Sequence, residues 1–271
     1  SARRLKENWY PYMRNLPLEI SLLTGHSTYT KFIVLGRSRV GSNFLRGLLN
    51  AHPQIAAYGE IFRDVKAMDW DHLGYFQSTK MMDLVQNDPV RFLETKLFGK
   101  YPRSIAAVGF KIFYYHAQNG GEAPVWSFLR DKKDLRVIHL KRRNILETHL
   151  SRQKAALTDS WVNTARSKEV QPAIQLDYEA CRQDFNRTRA WEEEYDRLFA
   201  DHAKIEVIYE ELAGNYQAEM ARIQEFLGVK LEAVAPTTFR QSSQPLAQAI
   251  ANYAELKEKF AGTPWAEFFV E

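Results

Sequence analysis

The sequence predicts an α/β protein with three layers, in which a parallel sheet is flanked by helices. Short segments rich in Val, Ile, Phe and Tyr alternate with longer segments of helical periodicity, which is the pattern of a parallel sheet. Three of the four strand segments are largely apolar, as expected for strands buried on both faces. The predicted strands are residues 32–35, 106–115, 135–140 and 205–209.

The predicted helices alternate with these strands, and Gly228 is a typical stop for the last of them. No repeat, low-complexity segment or linker divides the chain, so we predict a single domain, residues 1–271. Residues 1–30 form an N-terminal extension, and the polar stretch 158–177 forms a lid or an irregular excursion. The predicted helices are residues 43–51, 78–98, 144–157, 178–200 and 216–227.

Composition narrows the classes of function. Hydrophobic residues make up 45% of the chain, which is enough for a sizeable core. The 37 Lys and Arg exceed the 33 Asp and Glu by four, which suits an anionic ligand, but no dense basic run indicates nucleic-acid binding. The single cysteine, Cys181, excludes an internal disulfide and a cysteine-based zinc site. We expect no metal site, no transmembrane segment and a cytoplasmic protein.

The first strand leads through a glycine-containing loop, residues 36–42, into a helix. Many α/β proteins hold phosphate in this way, and Arg37 and Arg39 would add cationic donors to the backbone N–H groups. We therefore expect a phosphorylated ligand, and the alternative is a turn with solvated arginines. The loop is not a Walker A loop, because Ser42 replaces its lysine and Asn43 replaces its magnesium-binding hydroxyl residue.

A second strand–helix junction also carries cations. The strand at 135–140 runs into Lys141, Arg142 and Arg143, and a helix begins near Asn144. The helix dipole disfavours cations at an N-terminus unless an anion lies there too. A second phosphate site therefore explains this cluster better than a solvated basic helix start, which is the alternative.

The two junctions resemble the sulfotransferase family, whose members use 3′-phosphoadenosine 5′-phosphosulfate (PAPS). The family pattern is a (K/R)-S-G-(S/T)-(T/S) loop for the 5′-phosphosulfate and an Arg with a Ser eight residues later for the 3′-phosphate. Here the segment Arg39-Val-Gly-Ser-Asn43 follows the first pattern, with departures at Val40 and Asn43. Arg143 and Ser151 follow the second pattern.

Further segments extend the resemblance over most of the chain, from residue 31 to residue 228. They are similar to stretches of carbohydrate and nodulation-factor sulfotransferases, and they occur in the family's order. Each motif alone is weak, whereas five in order make a strong resemblance. The segments are residues 49–54, 59–62, 108–113, 208–212 and 223–228.

The resemblance implies a PAPS-binding site built on both junctions. Tyr209 aligns with a tyrosine that approaches the adenine, and a core tyrosine at a strand end is an equal alternative. Arg240 and Ser242 follow the last helix, where family members often close over the donor. Arg37 matches no part of the family pattern, and a structural role is its alternative. The candidate donor-binding residues are Arg37, Ser38, Arg39, Val40, Gly41, Ser42, Asn43, Arg143, Ser151, Tyr209, Arg240 and Ser242.

The general base departs from the cytosolic members of the family, which carry Lys-x-His on the strand after the loop. The aligned residues here run from Lys111 to Phe113, and phenylalanine cannot accept a proton. Bacterial carbohydrate members place a glutamate after the first helix, and Glu60 fits that position. Lys111 would then offset charge on the bridging oxygen. The implied catalytic residues are Glu60, Lys111, Arg39 and His116, with His52 and His149 as further rivals for the base.

The resemblance implies an enzyme that transfers the sulfuryl group of PAPS to a hydroxyl and releases adenosine 3′,5′-bisphosphate. The expected acceptor is a sugar or a glycolipid, with an aliphatic alcohol, a phenol or a protein tyrosine as open alternatives. A homodimer is also left open. Two alternatives remain. A small-metabolite kinase using ATP and magnesium lacks the Walker lysine, and a non-catalytic nucleotide-binding module leaves Glu60 and Lys111 without a role.

Overall fold

A five-stranded parallel sheet forms the centre of the structure, which is a computed structural model. The order of strands is β2-β3-β1-β4-β5, and each pair of neighbours is parallel. The strands are β1 (Thr30–Gly36), β2 (Ile55–Glu60), β3 (Ala107–Phe113), β4 (Arg136–Lys141) and β5 (Lys204–Ile208). The structure describes residues 15–18, 20, 22–68, 70–118, 120–159, 172–236 and 244–269.

Helices connect the strands. Within the described ranges, the α-helices of six or more residues are α1 (Ser42–Asn50), α2 (Thr79–Asn87), α3 (Pro124–Asp131), α4 (Ile145–Asp159), α5 (Tyr178–Leu198), α6 (Tyr209–Gly214), α7 (Tyr216–Leu227) and α8 (Tyr253–Phe260). Shorter helical segments are Val65–Ala67, Trp70–Leu73, Pro89–Phe92, Leu93–Leu97, Gly120–Glu122, Leu246–Ala249 and Pro264–Phe269.

Both faces of the sheet are buried, which confirms the predicted three-layer α/β architecture. Along β1, Ile33 and Leu35 join the core cluster that includes side chains of α2 and α3. The alternate residues, Phe32 and Val34, join the opposite cluster with α1 and α7. Strands covered on both faces have apolar side chains at successive positions, and this explains the unbroken apolar run in β1. A third cluster joins α4, α5 and the C-terminal segment 244–269.

The sequence pattern misses β2 and extends β3 too far. The β2 segment, Ile-Ala-Ala-Tyr-Gly-Glu, contains two alanines and a glycine, which are uncommon in strands. The prediction that the next strand continues to Tyr115 is wrong because the chain turns after Phe113. In that turn the Tyr114 N–H donates to the Gly36 carbonyl at 3.2 Å, and the His116 N–H donates to the Phe113 carbonyl at 2.9 Å.

The helix prediction for residues 78–98 is also wrong as a single element. Helix α2 ends at Asn87, and the Asp88 side chain caps the next turn by accepting a hydrogen bond from the Arg91 N–H at 3.3 Å. Pro89 has no N–H with which to continue the first helix. The helical path therefore restarts at Pro89 and passes into the π-helical segment Leu93–Leu97.

The predicted lid lies mainly outside the described residues. At its C-terminal end, residues 172–177 lead into α5, and Ile174 forms a bridge to Ile250 of the C-terminal segment. Of the N-terminal extension, residues 1–14 lie outside the described ranges. The single-domain organisation stays a prediction.

Replacing Gly109 with alanine should destabilise the fold, because this glycine lies in β3 against Phe32 of β1. A Cβ at position 109 would lie 2.4 Å from the Phe32 carbonyl oxygen and 2.5 Å from its ring. Overpacking of a core typically costs about 1–3 kcal/mol. Urea unfolding of Gly109→Ala should show a loss of at least this size. The control is Gly214→Ala, where a Cβ meets nothing within 4 Å; equal midpoints for the two variants would contradict the prediction.

Candidate active site

The loop between β1 and α1 presents backbone N–H groups at the carboxyl end of the sheet, where parallel sheets bind ligands. Arg39 and Gly41 have positive φ angles of 70° and 88°, so the loop follows a left-handed path at both positions. Gly41 is the N-cap of α1, with no side-chain capping bond and no acidic residue in the first turn. A helix start of this kind favours an anion.

Three side chains of the loop differ in what they can offer such an anion. Arg39 is exposed, and the described residues contain no ion-pair partner for its guanidinium. Val40 is buried in the core, so only its backbone faces the loop. Arg37 is 8% exposed, and its guanidinium already pairs with Asp184 of α5 at 2.5 Å. A role for Arg37 in donor binding stays a prediction.

Tyr209 fixes the identity of residue 41. A Cβ on Gly41 would lie 2.1 Å from the Tyr209 ring, so the ring lies directly against the loop. The prediction places Tyr209 at the end of a strand, but it is the first residue of α6. Its ring also lies under the Arg142 guanidinium at 4.5 Å, and Arg142 donates to the Arg39 carbonyl at 3.2 Å. The second junction thus supports the first.

Glu60, Lys111 and Asn43 meet beside this loop. The pairing of β2 with β3 shifts register between Tyr58 and Glu60, and the shift sets Glu60 opposite Lys111. Lys111 Nζ lies 3.0 Å from Glu60 Oε1 and donates to Asn43 Oδ1 at 2.7 Å. Three residues predicted from separate motifs therefore form one cluster at the end of β2, the end of β3 and the start of α1.

The two side chains of the Glu60–Lys111 pair differ in their exposure to solvent. Lys111 is 4% exposed, whereas the Glu60 side chain is 22% exposed. Burial lowers the pKa of Lys111, and the neighbouring Glu60 carboxylate opposes that shift. Arg46 and Arg63 lower it slightly further through their positive charge. The carboxylate is thus the member of the pair that a ligand from solvent can reach.

The His116 ring lies beside Glu60, beyond direct hydrogen-bond distance. Its Nε2 lies 3.9 Å from Glu60 Oε2, and its Nδ1 accepts a hydrogen bond from the Phe113 N–H at 3.2 Å. A neutral ring therefore carries its proton on Nε2, towards the carboxylate. Burial lowers the pKa of His116 to about 4, so the ring is neutral at pH 7. This arrangement disfavours His116 as a general base.

The other two histidines lie away from this cluster. His52 is buried, with Nε2 at 2.8 Å from the Lys230 carbonyl and Nδ1 accepting from the Gln54 N–H at 3.1 Å. Both of its ring nitrogens are therefore occupied by local bonds. His149 lies on α4, where its Nδ1 is 3.0 Å from Asp184 Oδ2.

The β4–α4 junction holds its own anion. Glu210 of α6 accepts hydrogen bonds from the N–H groups of Arg143 and Asn144 at 3.1 Å and 3.3 Å. This carboxylate meets the helix-dipole requirement from which a second phosphate was inferred. The Arg143 side chain is 61% exposed and pairs with Glu211, a contact worth little at the surface. Ser151 is half-buried within α4, so the 3′-phosphate role of this pair rests on the family resemblance.

Arg240 and Ser242 lie outside the described residues. Sequence reasoning missed Asp184 and Arg152, which hold the loop from α5 and α4, because neither belongs to a motif. The three-residue spacing of His149 and Arg152 on α4 could have indicated a shared acidic partner. The spacing alone does not identify Asp184 as that partner.

Three further features concern metal binding, membrane spanning and the cysteine. In the ranges that the structure describes, no group of three or more His, Cys, Asp or Glu side chains is arranged to hold a metal ion. No helix among those residues is both long and apolar enough to span a membrane. Cys181 is buried in the third core cluster, and burial raises its pKa to about 12.

Comparison with known proteins places the chain among relatives of one kind. It is 27% identical over 247 residues to nodulation protein H of Rhizobium tropici, covering 88% of this chain and 92% of that protein. It is 28% identical over 260 residues to nodulation protein H of Rhizobium meliloti strain 1021, covering 90% and 97%. The predicted sulfotransferase resemblance is confirmed. The sulfotransferase-like motifs thus belong to a similarity that runs through nearly the whole chain.

Solved sulfotransferase structures align with the chain at lower similarity. A sulfotransferase from Alicyclobacillus acidocaldarius has 17% identity and a TM-score of 0.46, with coverage of 85% of this chain and 90% of its own. Sulfotransferase STF9 from Mycobacterium avium has 15% identity and a TM-score of 0.43, with coverage of 97% and 74%. No family model matches the chain.

The depressed pKa of His116 predicts a pH-dependent stability. The unfolded chain binds this proton near pH 6.5, but the folded protein binds it only near pH 4, so stability falls as the pH drops from about 6.5 towards 4. Between pH 7 and pH 5 the folded protein should lose roughly 2 kcal/mol through this group. Urea unfolding at both pH values should show a smaller loss for His116→Asn. The other histidines are common to both proteins, and identical losses would contradict the assignment.

Proposed function

We propose that this protein is a sulfotransferase that transfers the sulfuryl group of PAPS to a hydroxyl acceptor. The observation that carries the proposal is the Glu60–Lys111–Asn43 cluster beside an uncapped helix start. A carboxylate, a buried cation and an anion-binding loop are the groups that such a transfer requires. The motif resemblance and the nodulation protein H relatives support the same activity.

The loop residues fit the 5′ end of the donor. Arg39 offers an exposed guanidinium that has no ion-pair partner among the described residues, and Gly41 and Ser42 offer N–H groups at the start of α1. When bound, PAPS supplies the sulfuryl group and a good leaving group. Arg143 and Ser151 are proposed to bind its 3′-phosphate, since the weak surface pairing of Arg143 leaves its guanidinium able to exchange partners.

Glu60 is proposed to accept the proton of the acceptor hydroxyl while the hydroxyl oxygen forms a bond to sulfur. The bond from sulfur to the 5′-phosphate oxygen breaks, and adenosine 3′,5′-bisphosphate leaves. Lys111 is held by Asn43 and Glu60, where its charge can stabilise the oxygen that accumulates negative charge. His116 presents Nε2–H on the side of Glu60 at 3.9 Å, beyond direct hydrogen-bond distance, and packs beside the carboxylate.

Tyr115 supports a sugar or glycolipid as the acceptor. Tyr115 is 43% exposed, although it lies beside a buried cluster. The ring centroid lies 5.0 Å from His116 and 5.8 Å from Phe113, and the charge of Glu60 adds to the burial that raises its pKa. An exposed aromatic face next to a general base can stack on a sugar ring. A cytoplasmic location and a homodimer stay predictions.

Adenosine 3′,5′-bisphosphate should stabilise the protein far more than 5′-AMP does. A ligand at one hundred times its dissociation constant stabilises the folded state by about 2.7 kcal/mol. Thermal unfolding should be measured with each nucleotide and with ATP plus magnesium. Arg143→Ala should reduce the preference for the bisphosphate, while Arg182→Ala, another exposed arginine paired with a glutamate, should not. A larger shift with ATP and magnesium would favour the kinase alternative.

Replacing Glu60 with glutamine should lower turnover while leaving donor affinity nearly unchanged. Glutamine keeps an oxygen for Lys111 but cannot take up a proton at neutral pH, and loss of a general base typically costs about 10²–10⁴-fold. The rate should be measured with PAPS and a panel of hydroxyl acceptors. His116→Asn should have a milder effect, because the neutral ring carries its proton on the nitrogen nearer Glu60 and its other nitrogen accepts the Phe113 N–H. The assignment is wrong if His116→Asn abolishes turnover and Glu60→Gln retains it.

A further inference from the structure

We propose that Asp184 of α5 is a positioning residue that holds the donor-binding loop in its anion-binding conformation. The inference rests on the proposed function. Asp184 lies on α5, far from the loop in sequence. It belongs to none of the motifs that predicted the site. It nevertheless reaches two consecutive loop residues, one directly and one through a single intermediate side chain.

The direct contact is with Arg37. Asp184 Oδ1 lies 2.5 Å from Arg37 Nη2, and the Asp184 carbonyl accepts from Arg37 Nη1 at 3.3 Å. Thr188, one turn further along α5, accepts from the same Nη1 and donates to the Asp184 carbonyl at 2.7 Å. The Arg37 guanidinium also lies 5.1 Å from the Trp191 ring. Arg37 is therefore an anchor, because its guanidinium is bound by three residues of α5.

The indirect contact runs through Arg152 of α4. Asp184 Oδ2 pairs with Arg152 Nη2, and the other arm of that guanidinium, Nη1, donates to the Ser38 carbonyl at 3.1 Å. His149 lies 3.0 Å from the same Oδ2, which completes a cluster of three basic side chains around one carboxylate. These partners hold the pKa of Asp184 well below its usual range. Asp184 is thus ionised at every pH at which the enzyme would work.

The contacts of Asp184 fix the loop directly before its left-handed turn. Arg37 and Ser38 immediately precede Arg39, the first of two loop residues with left-handed conformations; Gly41, the second, is the N-cap of α1. A non-glycine residue in this conformation is strained and persists only where its surroundings hold it. Asp184 fixes the residues on the N-terminal side of that turn, while Arg142 holds the Arg39 carbonyl. Binding of an anion then needs little ordering of the loop, which favours affinity.

Charge and geometry make opposite predictions for Asp184→Asn, so one variant separates them. Asparagine removes a negative charge close to the loop, and by charge alone the variant should bind a polyanion more tightly. If the carboxylate positions the loop, the variant should bind more weakly. Asp196→Asn is the matched control, because Asp196 lies on the same helix and also pairs with three basic groups, Lys141, Lys204 and His139.

The first measurement is calorimetric titration of the 271-residue chain with adenosine 3′,5′-bisphosphate. We expect Asp184→Asn to bind about tenfold more weakly or worse, with a higher KM for PAPS and little change in KM for the acceptor. Asp184→Glu should recover part of the affinity, and Asp196→Asn should bind like the wild type. If Asp184→Asn folds poorly, Thr188→Val tests the same contact, because it loosens Arg37 without removing a charge. This variant should bind the bisphosphate more weakly than the wild type.

The second measurement needs no donor. Hydrogen–deuterium exchange of the peptide covering residues 36–42 should quicken in Asp184→Asn and not in Asp196→Asn. Unchanged exchange together with unchanged or tighter nucleotide binding would overturn the positioning role. A wild-type protein that does not bind the bisphosphate would overturn the proposed function instead, and with it any link between Asp184 and donor affinity, whatever the exchange experiment shows.

Discussion

The buried Lys111 cation is the constraint around which the candidate site is organised. A charged amine at 4% exposure is unfavourable without close partners, and Glu60 and Asn43 supply them from two other elements. To bring Glu60 into reach, the β2–β3 pairing must shift register at Gly59. To bring Asn43 into reach, α1 must begin directly after the loop. One ammonium group thereby sets where β2 ends and where α1 begins.

The loop has a second set of supports on its other side. Arg142 and Arg152, both from the β4–α4 half of the protein, donate to the carbonyls of Arg39 and Ser38. Guanidinium groups that bind the loop's carbonyls leave its N–H groups facing away from them. The protein thus uses several of its arginines to shape the loop and leaves Arg39 to face solvent. Counting basic residues near a phosphate loop therefore overstates how many of them bind phosphate.

Local pattern predicted the layered fold and much of the cluster, but not the long-range contacts. The apolar run of β1 and the glycine of its loop were visible because burial and backbone conformation act on adjacent residues. The alanines of β2 carry no strand signal, and only the sheet places them beside β3. Nothing local links Asp184 to Arg37, or Glu210 to the start of α4, because those partners lie far apart in sequence. The charge argument for a phosphate at the second junction is weaker for that reason, because the Glu210 carboxylate already lies at that helix start.

The contact between Tyr209 and Gly41 has a consequence for how the protein can change. Tyr209 closes against the loop, and the next residue, Glu210, caps α4. Two adjacent residues directly after β5 therefore contact two different strand–helix junctions. A one-residue insertion or deletion there would rotate both side chains away from their partners at once. This short connection should accept far less length variation than other surface turns, although it contains none of the residues proposed to react.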